Sequence, residues 1–323
     1  EGFIIIPSIT DLSPIKFISF SSSYEGLKEH PFILTLKWRI LYTIFKSGYL
    51  QDMRIEYLDI KQDKIDTKQK KKNEDTWTRL LELSPDTFLI RILREESVAP
   101  LLNSTWNQLY PYNLYTPVIN GVNAPTGCTI TAHAQIMYYW KYPDKGQGYN
   151  SYIWKGQILS ADFNHEYQWN KMCANYTGIE SYEEKDAVAR LMSDVGISLE
   201  ANYSLDGTGA YPNWNNSFEA YFKYSEDAKT VYRREYLTWN DWFMVFKEQM
   251  DLKWPCLLAT YIKNTWCGHA VVIDGYRIID DMNQVHVNLG WGGAYDNYYS
   301  IDDIFGYGSD YDYAVINIHP RVC

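Results

Sequence analysis

A chain of 323 residues, 46% of them apolar, can fill one large domain or two. No run approaches the roughly 20 apolar residues that would span a bilayer. Residues 1–96 carry 15 basic and 15 acidic side chains and residues 97–323 carry 15 and 25, so the net charge of −10 belongs to the second part. That acidity argues against a nucleic-acid partner, whose phosphates need a basic face.

Along the chain, Phe3–Pro7 and Ile15–Phe20 read as short strands around a Ser/Pro turn. From Pro31 to about Leu58 a helix is predicted, with Phe32, Leu36, Ile40 and Ile44 at i, i+4 spacing, and Thr76–Leu83 suggests another. Between them the Lys-rich stretch Lys61–Lys72 is interrupted by Asp63 and Asp66 and reads as a solvated face or loop. The polar run Arg94-Glu-Glu-Ser97 marks a junction. Pro125 and Gly127 then punctuate a turn, and the segment after it reads as a helix until Pro143, with Ile130, Ala134, Met137 and Tyr138 forming one mostly apolar face. Glu183–Val195 is a second helix, with Ala187, Leu191 and Val195 repeating at i+4. Farther on, Cys267-Gly-His-Ala-Val-Val-Ile-Asp-Gly275 is a β-branched run of central-strand type, and His286-Val-Asn-Leu-Gly-Trp-Gly-Gly293 is a strand entering a glycine turn. The part beyond residue 97 therefore divides into a helical half and a strand-rich half, and a cleft between such halves is a common place for a ligand site.

The chemistry concentrates on Cys128. At the start of a helix, unsatisfied N–H groups and the helix dipole favour an anion, and it is the thiolate that attacks a carbonyl. A thiol nucleophile needs an imidazole to pair with and later to protonate the leaving group, and His269 follows Cys128 by 141 residues on the central strand. Asn288 is positioned to orient His269 through its side-chain oxygen, and Trp291 to cover that hydrogen bond from water. Gln108, 20 residues before Cys128, has an amide that can join the Cys128 N–H in binding an oxyanion. The order Cys, His, Asn at these separations is that of papain-like peptidases.

The other cysteines and histidines are assigned plainer roles. All five cysteines follow residue 127, and nothing in their spacing suggests a metal site. Cys173, Cys256 and Cys323 read as buried or terminal thiols. Cys267 would share a strand face with His269, but it lacks the helix N-terminus that activates Cys128. His133 faces away from Cys128 and reads as a packing or surface residue, and His30, His165 and His286 show no acid or thiol partner in sequence. No cofactor is implied.

Several blocks in order carry a resemblance: Asn107-Gln-Leu-Tyr-Pro-Tyr-Asn, Thr126-Gly-Cys, Ala134-Gln-Ile-Met, Lys141-Tyr-Pro, Leu191-Met-Ser-Asp-Val-Gly-Ile-Ser, Gly268-His-Ala-Val-Val-Ile-Asp-Gly and His286-Val-Asn-Leu-Gly-Trp-Gly-Gly. Over residues 97–323 the chain resembles the streptopain family of bacterial cysteine peptidases. The resemblance implies an α+β, papain-like fold of two subdomains, one helical and one antiparallel β. It also implies a secreted or periplasmic zymogen and an endopeptidase that favours a bulky apolar residue two positions before the cut. Matched onto this chain, Cys128 becomes the nucleophile, His269 the base and Gln108 the oxyanion donor, while Thr208 and Gly268 fall where the family contacts substrate. Leu289 stands where the family often has Trp, so shielding of the base rests on Trp291.

By the same resemblance, residues 1–96 are expected to be an inhibitory propeptide, a small α+β domain trimmed at its N-terminus, and 97–323 the catalytic domain; a permanent first domain is the alternative. The opening Glu1-Gly-Phe-Ile-Ile-Ile, without Met, fits a start left after a targeting segment is removed. The expected partners are protein or peptide substrates and the chain's own propeptide. Two other functions use the same sequence features: a transamidase that passes the acyl group to an amine, and a non-catalytic surface binder on a peptidase scaffold.

Overall fold

The computed structural model describes residues 96–321 except 264, 266, 280 and 281, together with the backbone of β1 (Phe3–Ile5) and β2 (Phe17–Ser19). These two strands pair antiparallel, Phe3 opposite Ser19 and Ile5 opposite Phe17, where two strands were expected. The helices expected over 31–58 and 76–83 and the Lys-rich stretch lie outside the described residues. By its internal contacts the chain divides into Glu1–Arg94 and Glu95–Cys323.

The second unit is built on a seven-stranded antiparallel sheet. It contains β3 (Glu96–Val98), β8 (Lys229–Tyr232), β9 (Cys256–Tyr261), β10 (Gly268–Ile279), β11 (Met282–Asn288), β12 (Asn297–Tyr299) and β13 (Tyr313–Ile316), in the order β12-β11-β10-β9-β13-β8. Short hairpins β4 (Val118–Ile119)/β5 (Val122–Asn123) and β6 (Tyr149–Trp154)/β7 (Gln157–Asp162) lie outside this sheet. The long strand β10 is central: β9 pairs with its first half, β3 continues that edge beside Tyr276–Ile278, and β11 pairs on the other side. The β10–β11 register slips between Ile273 and Gly275, leaving Asp274 as the extra residue of a bulge.

Side chains that alternate along the sheet feed two separate cores, as a strand period of two requires. Leu257, Ala270, Val272 and Val315 join Ile130, Ala134 and Met137 of α1 (Cys128–Trp140) and Leu191 and Val195 of α2 (Tyr182–Ser198). Their neighbours Leu258, Val271, Ile273 and Ala314 join Trp242, Phe243 and Phe246 of α3 (Trp239–Asp251). Both α2 and α3 begin with capping boxes, Ser181 with Glu184 and Thr238 with Asp241.

The single apolar face expected of α1 is replaced by something more deeply set. Every residue from Thr129 to Tyr138 is buried, because the helix packs on β9 and β10 and on α2 together. Truncating a side chain as enclosed as Met137 should cost about 2–5 kcal/mol. The helix that begins at Cys128 is therefore a fixed axle of the domain. The architecture is α+β, as expected.

Candidate active site

Cys128 is the first residue of α1. Its N-cap, Gly127, has φ 90° and no side-chain cap, so the first-turn N–H groups stay open to an anion. The loop before it is clamped from three sides. The Thr126 N–H donates to the Gln108 carbonyl at 2.9 Å, the Thr131 hydroxyl to the Gly127 carbonyl at 3.0 Å, and the Thr208 hydroxyl to the Pro125 carbonyl at 2.6 Å. A Cβ on Gly127 would sit 2.4 Å from the Thr208 carbonyl oxygen, so only glycine fits there. Burial pushes the Cys128 thiol up. The opposing set prevails and lowers it overall: a side-chain hydrogen bond from His269, the His269 charge, the Ala270 backbone and the Thr129 hydroxyl.

His269 is the second residue of β10 and is buried. Its Nε2 lies 2.8 Å from the Leu289 carbonyl oxygen. A carbonyl can only accept, so Nε2 carries the proton and Nδ1 is left for the sulfur. Trp291 stacks on the imidazole at 4.8 Å between ring centroids, and Tyr307 lies against it at 5.8 Å. The Leu289 N–H in turn donates to Asp296 Oδ1 at 2.8 Å.

This geometry gives two of the expected site residues other partners. Asn288 does not orient His269: its Oδ1 accepts from Gln135 Nε2 at 2.9 Å and from the Gly290 N–H at 3.0 Å, while its Nδ2 donates to the Ser104 carbonyl at 2.9 Å. At the end of β11, with β10 opposite, its side chain points into the buried polar junction between α1 and the 104–106 segment, and the next residue's carbonyl meets the imidazole instead. Thr208 is buried with its hydroxyl donating to the Pro125 carbonyl, so its side chain buttresses the loop before Cys128. Gly268 is exposed beside His269, and a Cβ there would meet the Tyr261 ring at 2.7 Å. Gln108 lines a cleft of about 400 Å³ with Asn107, Leu109, Pro125, Gly290 and Trp291.

The remaining thiols and imidazoles sort by surroundings. Cys267 precedes β10 and is exposed, and its carbonyl accepts from the Ile262 N–H at 3.0 Å beside the first β9–β10 pair. Cys256 is buried, and Cys173 sits 3.7 Å from Glu184 Oε1. Cys323 lies outside the described residues, as does His30. Two histidines do have acid partners, contrary to expectation: His165 Nε2 with Asp194 Oδ2 at 2.8 Å and His286 Nδ1 with Asp274 Oδ1 at 2.6 Å. The second pair depends on the β10 bulge, which sequence periodicity does not reveal. His133 is a packing residue, stacked on Phe218 at 3.5 Å. Sequence reasoning missed Leu289, Tyr307 and Asp296. A backbone carbonyl has no residue signature, and the other two enter from loops. Among the described residues no group of His, Cys, Asp and Glu is placed to hold a metal, and no helix is long and apolar enough to cross a membrane.

The profile of the peptidase C10 family matches residues 106–299, which hold Gln108, Cys128, His269, Asn288, Leu289, Trp291 and Asp296. Streptopain of Streptococcus pyogenes is 32% identical over 263 residues, 71% of this chain and 64% of that protein, so the chain spans somewhat under two thirds of that relative's length. The thiol protease/hemagglutinin PrtT of Porphyromonas gingivalis is 29% identical over 211 residues, 61% of this chain and 24% of that one. Among solved structures, active interpain A cysteine protease of Prevotella intermedia superimposes with a TM-score of 0.63 at 31% identity, over 69% of this chain and 95% of its own. A prointerpain A fragment from the same organism covers 99% of this chain and 93% of its own, with a TM-score of 0.62 at 25% identity. The fold is thus the papain-like α+β arrangement.

Proposed function

Because the chain belongs to the peptidase C10 family, we propose that it is a cysteine endopeptidase made as a zymogen, with Cys128 the nucleophile and His269 its base. One observation carries the reading: Cys128 opens α1 beside an imidazole whose outer nitrogen is occupied by the Leu289 carbonyl. An imidazole held in that tautomer can take the thiol proton only at Nδ1, which favours the thiolate–imidazolium pair.

In the proposed cycle the Cys128 thiolate attacks the peptide carbonyl. The oxyanion is received by the Cys128 N–H and the Gln108 amide, and losing one such donor typically costs about 10²–10³ in rate. The His269 imidazolium gives its proton to the departing amine as the C–N bond breaks, leaving a thioester. Water then attacks the thioester, His269 takes the water's proton, and the Cys128 sulfur leaves. Trp291 keeps bulk water from the His269–Leu289 bond, and Gly268 lies open for a substrate strand. A bulky apolar residue two positions before the cut is the preferred side chain.

Residues 1–96 would be the inhibitory propeptide and residues 97–323 the enzyme, released outside the cytoplasm. The likeness of a prointerpain A fragment to 99% of this chain supports this reading. The test is labelling of the full chain, and of protein trimmed near residue 96, with a thiol-reactive peptidyl inhibitor, alongside hydrolysis of a fluorogenic peptide. Trimming should raise both signals. Cys128→Ala should abolish both, and His269→Ala should be nearly as damaging because the two act as a unit. Turnover surviving in Cys128→Ala would sink the reading.

A further inference from the structure

Behind the imidazole lies a group that the mechanism above does not use. The turn from Leu289 to Asp296 joins β11 to β12, and it presents both the Leu289 carbonyl and the Trp291 ring to His269. Its backbone is unusual: Gly290, Gly292, Gly293 and Tyr295 all have positive φ, between 63° and 83°. Three glycines give such a turn little stiffness of its own. What closes its neck is a side chain, the Asp296 carboxylate accepting the Leu289 N–H at 2.8 Å.

We infer that Asp296 is a positioning residue for the base, holding Leu289 so that its carbonyl keeps His269 Nε2 in place and Nδ1 toward Cys128. The inference rests on the Cys128–His269 reading above. The surroundings raise the Asp296 carboxyl overall, and its Oδ1 still accepts the Leu289 N–H. Burial raises the Asp296 carboxyl, the Leu289 N–H opposes that rise, Asp274 on β10 adds to it, and His286 on β11 counters it. Asp274 is itself held to His286 at 2.6 Å and accepts the Leu102 N–H at 3.0 Å. The bulge that releases Asp274 from the ladder thus places a His–carboxylate pair behind Asp296.

The test reads the Cys128 thiol directly, without needing peptidase activity. Full-length protein is alkylated with iodoacetamide across a pH series, and modification of the Cys128 peptide is followed by mass spectrometry. Asp296→Ala should move the titration midpoint of Cys128 upward by about one unit, which is about tenfold in thiolate population below the midpoint. Asp296→Asn keeps an oxygen acceptor without the charge and should stay close to the parent. Where alanine leaves too large a gap for folding, Asp296→Leu, similar in shape and lacking an acceptor, makes the same test. A parental midpoint in the folded alanine or leucine variant would overturn the inference, and so would a shift in asparagine equal to theirs. His269→Ala serves as the control. If it leaves the midpoint unmoved, the Cys128–His269 pairing itself fails; if only the Asp296 variants leave it unmoved, the positioning role alone fails.

Discussion

His269 Nε2 meets the carbonyl oxygen of Leu289 at 2.8 Å, while the side chain of Asn288, one residue earlier, turns the other way into a buried network. The two neighbours have divided one job. The backbone orients His269, and the amide ties the strand end to α1 and the 104–106 segment. Substituting Asn288 should therefore act on stability first. Asn288→Ala leaves the Gln135 amide, the Gly290 N–H and the Ser104 carbonyl short of a partner, at about 1–3 kcal/mol for each group that water cannot reach. A fall in melting temperature should accompany any loss of rate. An unchanged melting temperature with lost activity would return Asn288 to the orienting role.

Trp291 should matter through its ring. It stacks on His269 with 30° between the planes, and it shields the hydrogen bond to Leu289 on that side. A stacked pair of this kind contributes about 0.5–1.5 kcal/mol beyond burial, so Trp291→Ala should slow alkylation of Cys128 by up to about tenfold. Trp291→Phe should recover part of the loss. Equal rates in all three proteins would remove the shielding role.

The loop before Cys128 has no slack at Gly127. Its φ of 90° and the 2.4 Å approach of the Thr208 carbonyl make Gly127→Ala both strained and sterically blocked. That variant should lose at least about 1–3 kcal/mol of stability, together with reactivity at Cys128. Thr208→Val removes only the bond to Pro125 and should cost about 1 kcal/mol. Denaturant midpoints separate the two, and a Gly127→Ala protein as stable as its parent would contradict the packing described.

Thiol reactivity should sort by pH. Cys128 is lowered by His269 despite its burial, whereas burial raises both Cys173, with Glu184 adding to the effect, and Cys256. At about pH 6.5, two units below the ordinary thiol pKa of about 8.5, iodoacetamide should modify Cys128 well ahead of Cys173 and Cys256. His269→Ala should abolish that lead. Its survival would mean that the helix N-terminus alone activates the thiol.

Much of this arrangement was legible beforehand because it rests on local grammar. Pro125 and Gly127 announce a turn before a helix, and the β-branched run after Gly268 announces a buried strand. Both ends of the Cys128–His269 pair therefore sit on elements that periodicity can find. The rest was hidden for physical reasons. The bulge at Asp274 breaks a strand register without changing its composition, so the His286–Asp274 pair could not be seen. A carbonyl acceptor such as that of Leu289 is present at every residue and marks none. Asn288 was misassigned because an amide side chain suits an orienting bond and a structural network equally well. Only the end of β11 decides which way it turns.

His133 offers a test of the core beneath Cys128, five residues along the same helix. It is fully buried, stacked on Phe218 and edge-on to Phe222, and neither ring nitrogen has a hydrogen-bond partner. Burial pushes its imidazole down to about 3, against about 6.5 in an unfolded chain. Between those values the unfolded state binds the extra proton, so stability rises with pH. The contribution of neutral His133 is complete above about 6.5 and is lost as pH falls toward 3, at up to about 1.4 kcal/mol per unit. His133→Phe keeps the stacking and removes both the titration and the two unpaired nitrogens. Made in a Cys128→Ala background to prevent self-cleavage, it should be more stable than its parent. That advantage should widen as the pH is lowered from 7 to 4, because the two proteins differ in this one titration. Urea midpoints at several pH values measure it. A gap that stays constant over that range would show that His133 is protonated as readily in the folded protein as in the unfolded one.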